Sequence, residues 1–138
     1  MYQAMNLSHA EAMAMVAVVQ RQAESEKKAC AVAVSDSHGE MLAFLRMDGC
    51  RLPSIYIAMN KAFTAAREEK PSGDVGESSR RTPYPMTNFG TLRYTAWAGG
   101  FPVIHKGRVV GAIGVSGLTE AEDAALARRA LEVVQEPA

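Results

Sequence analysis

A chain of 138 residues has the size of one domain and can bury a core without disulfide staples. Its 48% hydrophobic and 22% charged residues exclude disordered and fibrous classes. Fifteen Lys and Arg offset fifteen Asp and Glu, so no net field draws the chain to nucleic acid or anionic lipid, and the pairs Lys27-Lys28, Arg80-Arg81 and Arg128-Arg129 read as solvated surface.

Ser8 followed by Glu11 is a capping-box pattern, and it predicts a helix over about Ser8 to Lys27 with Met13, Val16, Ala17 and Ala23 on its apolar stripe. That stripe is too short to span a membrane, and no basic-then-apolar leader precedes it. Ala31 to Val34, the turn residues Asp36 to Gly39, and Met41 to Asp48 predict a hairpin. Its strands are apolar at odd and even positions alike, which predicts a sheet covered on both faces or buried in an assembly.

Pro53 and Ser54 open a second helix, with Ile55, Met59, Ala62, Phe63 and Ala66 at core-facing steps, ending near Lys70 and Pro71. Pro71, Gly73, Gly76, Pro83 and Pro85 then punctuate a polar stretch to about Thr87, which predicts a long ordered loop with room for a short helical turn. Loops of that length usually cover or build a site. Asn88 to Ala98 carries Phe89, Leu92, Tyr94 and Trp97 in a pattern consistent with a strand or a partly extended segment. Phe101 to His105, the turn Lys106-Gly107, and Arg108 to Ser116 predict a second hairpin. Thr119 with Glu122 caps a last helix running to about Gln135. Hairpin-joined strands between helices favour an antiparallel sheet packed by helices, in one domain over residues 1–138.

The chemistry-bearing residues fall into few groups. Gly111, Gly114 and Gly117 lack the spacing of a dinucleotide or phosphate loop, and are read as places where a helix or subunit approaches a strand. Arg46 and Asp48, two apart, are placed on one strand face with Leu42 and Phe44, either as an ion pair or in a turn-stabilising role, or with Arg46 joining Lys61 at an anion. His9, His38 and His105 show no zinc spacing, so a protein-held metal is not expected; His38 and His105 are the imidazoles available as a single axial haem ligand. Cys50, in a loop, is open to exposure but has no activating neighbour in sequence, so inert packing is the favoured reading, and with only Cys30 besides it a reducing cytosol fits best.

Several ordered motifs resemble the GlcG/HbpS-like family: Arg46-Met47-Asp48-Gly49, Ser54-Ile55, Lys61-Ala62-Phe63-Thr64-Ala65-Ala66, Gly99-Gly100-Phe101-Pro102-Val103, Gly107, and Val109 through Gly117. The resemblance covers nearly the whole chain. It implies an α+β fold with a five-stranded antiparallel sheet flanked by helices, a profilin-like α/β sandwich, assembled into homo-oligomers. Members of that family include haem-binding and haem-degrading proteins, the C-terminal domain of PduO-type proteins, and accessory proteins of catabolic operons. This chain departs from the pattern at Cys50, where alanine is usual, and its Thr82 to Trp97 segment aligns with no haem ligand.

The resulting expectation is a cytoplasmic, homo-oligomeric small-molecule-binding protein, with haem first among ligands and cofactors. Its pocket is expected near the Pro71 to Thr87 loop, with Tyr84, Phe89, Tyr94 and Trp97 as flat contacts, Arg46, Lys61 or Arg93 meeting a carboxylate, and Gly99-Gly100 as the turn. The competing expectation is a cofactor-independent enzyme on a small organic acid or carbonyl compound, with Lys61, Asp48 or His105 moving the proton. A third is a non-catalytic accessory protein. Whether the chain is catalytic is left open by the sequence.

Overall fold

The computed structural model describes residues 1–135. The elements run α1 (His9–Ser25), β1 (Ala31–Asp36), β2 (Met41–Arg46), α2 (Ser54–Glu68), α3 (Ser72–Arg81), a 3-10 turn (Met86–Phe89), β3 (Gly100–His105), β4 (Arg108–Ser116) and α4 (Glu120–Leu131). Both expected capping boxes form: Ser8 and Glu11 at α1, Thr119 and Glu122 at α4.

The sheet is antiparallel with strand order β2-β1-β4-β3, and helices cover both faces, α1 and α4 on one and α2 on the other. The strand sequences explain the asymmetry. Because side chains alternate, Val32, Val34, Ile113 and Val115 all point toward α1 and α4, where each fully buried side chain contributes about 1.5–3 kcal/mol. The other face presents Ala31, Ala33, Ala112 and Gly114 to Ala58, Ala62 and Ala65 of α2. Small residues on both sides let helix backbone approach strand backbone. At Gly114 a Cβ would overlap the Ala58 carbonyl oxygen and lie 2.7 Å from the Ala62 nitrogen. The close-approach reading of the glycines therefore holds most clearly at Gly114.

Three expectations are corrected. The sheet has four strands among the described residues, not five. Asn88 to Ala98, the stretch available for a fifth, gives its backbone donors to side chains instead of a ladder: Thr95 N–H to Thr64 Oγ1 at 3.0 Å and Ala98 N–H to Glu120 Oε1 at 2.8 Å. The long loop after Pro71 is mostly α3. Gly73 and Gly76, read as loop punctuation, instead let this polar helix lie against Ala98 and Ala96; a Cβ on Gly76 would sit 2.7 Å from the Ala96 Cβ. Finally, Asp48 is not on a strand. β2 ends at Arg46, Asp48 lies in the following turn, both are exposed, and among the described residues no ion pair joins them.

Cys50 is buried, as the inert-packing reading expects, and so is Cys30, whose Sγ lies 3.8 Å from Met47 Sδ. Burial pushes the Cys30 thiol up to about 12 and raises Cys50 as well. Thiolate is the reactive form, so the native protein should react with a disulfide reagent at pH 8 at least about a hundred-fold more slowly than the denaturant-unfolded chain. A rapid equivalent of labelling in buffer would contradict that burial. Among the described residues no helix is long and apolar enough to cross a membrane.

Candidate functional site

Lys61 occupies an apolar position. It continues the α2 stripe of Ser54, Ala58, Ala62 and Ala65, and its side chain is fully covered, with 2% of the residue exposed. Helical side chains lean toward the helix N-terminus; the stem passes over Gly114, whose absent Cβ leaves room for the Lys61 Cβ. The ammonium thus reaches the end of β4, donating to the Val115 carbonyl at 2.8 Å and to Asp123 Oδ2 at 3.1 Å.

Asp123 is buried in the first turn of α4, where the N-terminal peptide dipoles favour a negative charge. Its other oxygen, Oδ1, accepts from the Leu118 N–H at 3.1 Å. Burial pushes the Lys61 ammonium below the usual lysine range and the Asp123 carboxyl above the usual carboxylate range, each opposed by attraction to the other. A buried charge needs such a partner.

The chain around this pair is pinned. Ser72 Oγ donates to the Trp97 carbonyl at 2.7 Å and accepts from the Gly100 N–H at 2.9 Å, while Glu120 holds Ala98. Gly99, at φ +122, brings its backbone over the ammonium; a Cβ there would fall 2.9 Å from Lys61 Nζ. Above the pair opens a cleft of about 320 Å³, whose rim carries exposed Arg51, Trp97 and Glu120 and whose walls include Ser54, Ser116 and Gly117.

Of the residues singled out in the sequence, Lys61, Trp97, Gly99 and Gly100 meet here. Tyr84, Phe89 and Tyr94 form a separate row: ring centroids are 5.9 Å apart for Tyr84 and Phe89, 4.6 Å for Phe89 and Tyr94, and 5.7 Å for Tyr94 and Phe63 of α2. The Arg93 guanidinium stacks on Phe63 at 3.9 Å, and its Nε donates to Asn60 Oδ1 at 3.3 Å. Arg46 and Asp48 line a different depression, between α1 and β2. His38 and His105 sit at the two hairpin turns, at the opposite end of the sheet from Lys61. No group of three or more His, Cys, Asp or Glu among the described residues could hold a metal ion.

Sequence reasoning missed Asp123, Glu120, Ser72 and Arg51. Asp123 carried one signal: it shares the buried stripe of α4 with Ala127 and Ala130, where a charge requires a partner.

A four-stranded antiparallel sheet between helical layers, with a pinned cleft over a buried lysine at one end, defines an α+β fold. The chain belongs to the HbpS-like family: residues 7–132 match its model, described as haem degrading protein HbpS-like. It is 39% identical to protein GlcG of Escherichia coli K12 over 116 residues, 80% of this chain and 81% of GlcG. The crystal structure of a double mutant of Streptomyces reticuli HbpS is 30% identical with TM-score 0.90, covering 99% of this chain and 92% of that one. That of a PduOC:heme complex, 21% identical with TM-score 0.87 and covering 94% and 95%, shares the fold.

Proposed function

We propose that this chain is a homo-oligomeric small-molecule-binding protein that takes haem or a haem-related ligand in the cleft over Lys61. The observation carrying this reading is the pairing at the cleft rim of Trp97, 53% exposed, with Arg51. A flat indole and a guanidinium suit a porphyrin face and its propionate. The family description, which names haem degradation, supports the ligand class, as does the haem in the PduOC complex. The exposed Phe44, Leu52 and Tyr56 support assembly.

The cleft lining offers contacts for the edge of a porphyrin but no ligand for its iron. Its walls offer no imidazole or thiolate, and His38 and His105 lie at the far end of the sheet. When bound, the haem would supply redox chemistry, while this chain's residues bind and orient the ring. Haemin titration should therefore give a saturable Soret shift. His38→Ala and His105→Ala should leave it intact, and Trp97→Ala should weaken affinity roughly tenfold, the worth of one aromatic contact. Loss of the shift in His105→Ala with Trp97→Ala unaffected would move the site elsewhere.

One observation favours a second reading, a cofactor-independent enzyme acting on a small organic acid or carbonyl compound. Lys61 and Asp123 form a desolvated acid–base pair whose protonation ranges are pushed toward each other, at the base of an open cleft.

A further inference from the structure

We infer that the cleft over Lys61 captures a small aldehyde or ketone bearing a carboxylate, as a Schiff base on Lys61 Nζ with Asp123 carrying the proton. The inference rests on the second reading above and on the cleft being the ligand site. Three features point to it. The chain has five lysines, Lys27, Lys28, Lys61, Lys70 and Lys106, and Lys61 is the one that is buried. Of the three N–H donors of its ammonium, two have acceptors among the described residues, Val115 O and Asp123 Oδ2. The same pair lines a cleft that also presents the Ser54 and Ser116 residues and Arg51. A purely structural ion pair between α2 and α4 has no use for that cleft; a carbonyl oxygen and a carboxylate find hydroxyl and guanidinium donors in it.

The chemistry balances within the pair. Lys61 passes a proton to Asp123 Oδ2, and the neutral amine adds its lone pair to the carbonyl carbon, forming the C–N bond while the C=O π electrons move to oxygen. Proton transfer from nitrogen to oxygen gives the neutral carbinolamine. Asp123 then returns its proton to the hydroxyl, the C–O bond breaks, water leaves, and a protonated imine remains beside the Asp123 carboxylate.

The test incubates the native protein with pyruvate and sodium cyanoborohydride at neutral pH, maps the reduced adduct by peptide mass spectrometry, and follows the fluorescence of Trp97, the one tryptophan. The expected result is an adduct on Lys61 at least roughly tenfold above that on any exposed lysine, and lost in Lys61→Arg. Trapping should slow by about a hundred-fold in Asp123→Asn, as for loss of a general acid–base. Propanal should label Lys61 less than pyruvate does, and Arg51→Gln should erase that preference. Circular dichroism shows that each variant is folded, and Arg51→Gln, on the rim, keeps the test informative if a core variant unfolds. Labelling spread over Lys27, Lys28, Lys70 and Lys106 with Lys61 unmodified would overturn the inference. If pyruvate then still changes Trp97 fluorescence, only the Schiff base falls; if it does not, the cleft fails as an organic-acid site as well.

Discussion

Asp123→Ala should destabilise the protein by about 3–5 kcal/mol, the usual cost of leaving a buried charge without its partner. For a chain of this size that corresponds to a fall in Tm of roughly 10–20 °C. Lys61 is 2% exposed, the Gly99 backbone lies over its ammonium, and only the floor of the cleft meets it, so bulk water does not replace the lost carboxylate. Removal of the carboxylate also strips the Leu118 N–H of its acceptor and loosens the turn into α4. The double variant Lys61→Met, Asp123→Leu should recover most of the loss, because an apolar pair of similar volume has no desolvation cost. Urea melts of the wild type, both single variants and the double variant measure the coupling. A loss below about 1 kcal/mol in Asp123→Ala would mean that water reaches the lysine.

Gly114→Ala should be nearly as damaging although it adds a single methyl group. The new Cβ would overlap the Ala58 carbonyl oxygen and press on the Ala62 nitrogen, both backbone atoms of α2, so no side chain can rotate aside. The helix itself must move. Overpacking of this kind costs about 1–3 kcal/mol and occasionally more, and we expect about 3 kcal/mol here because backbone is displaced. Since α2 carries Lys61, the variant should also lose haemin affinity, whereas a conservative change on the opposite sheet face, such as Val32→Ile, should alter stability without altering affinity. Denaturation and titration on the same samples separate the two effects.

Local signals made the elements legible. Both capping boxes, the Lys106-Gly107 turn and the double-sided apolar strands carry their information within a few residues, and each formed as expected. The errors came where tertiary contacts override local preference. Gly73 and Gly76 punctuate a sequence in isolation, but in the fold they sit in a helix because Ala96 and Ala98 need the space that side chains would fill. Asn88 to Ala98, open in sequence between a strand and a partly extended segment, joins no ladder because Thr64 and Glu120 take backbone donors from it.

The site was half legible for the same reason. Lys61, Trp97, Gly99 and Gly100 stand out individually, whereas Asp123 lies 62 positions from its partner, and only the pairing of β1 with β4 and the return of α4 bring the two together. Arg46 and Lys61 looked combinable in sequence because the turn after β2 leads straight into α2. The fold instead leaves Arg46 in the depression beside α1 and draws Lys61 inward.

Hydrogen–deuterium exchange with and without haemin tests the central assignment most directly, since it reads both ends of the sheet in one experiment. Slowed exchange in peptides covering residues 94–101 and 115–123, with residues 36–40 and 104–109 unchanged, is the result expected of a ligand seated over Lys61. Protection confined to the hairpin turns that hold His38 and His105 would contradict it.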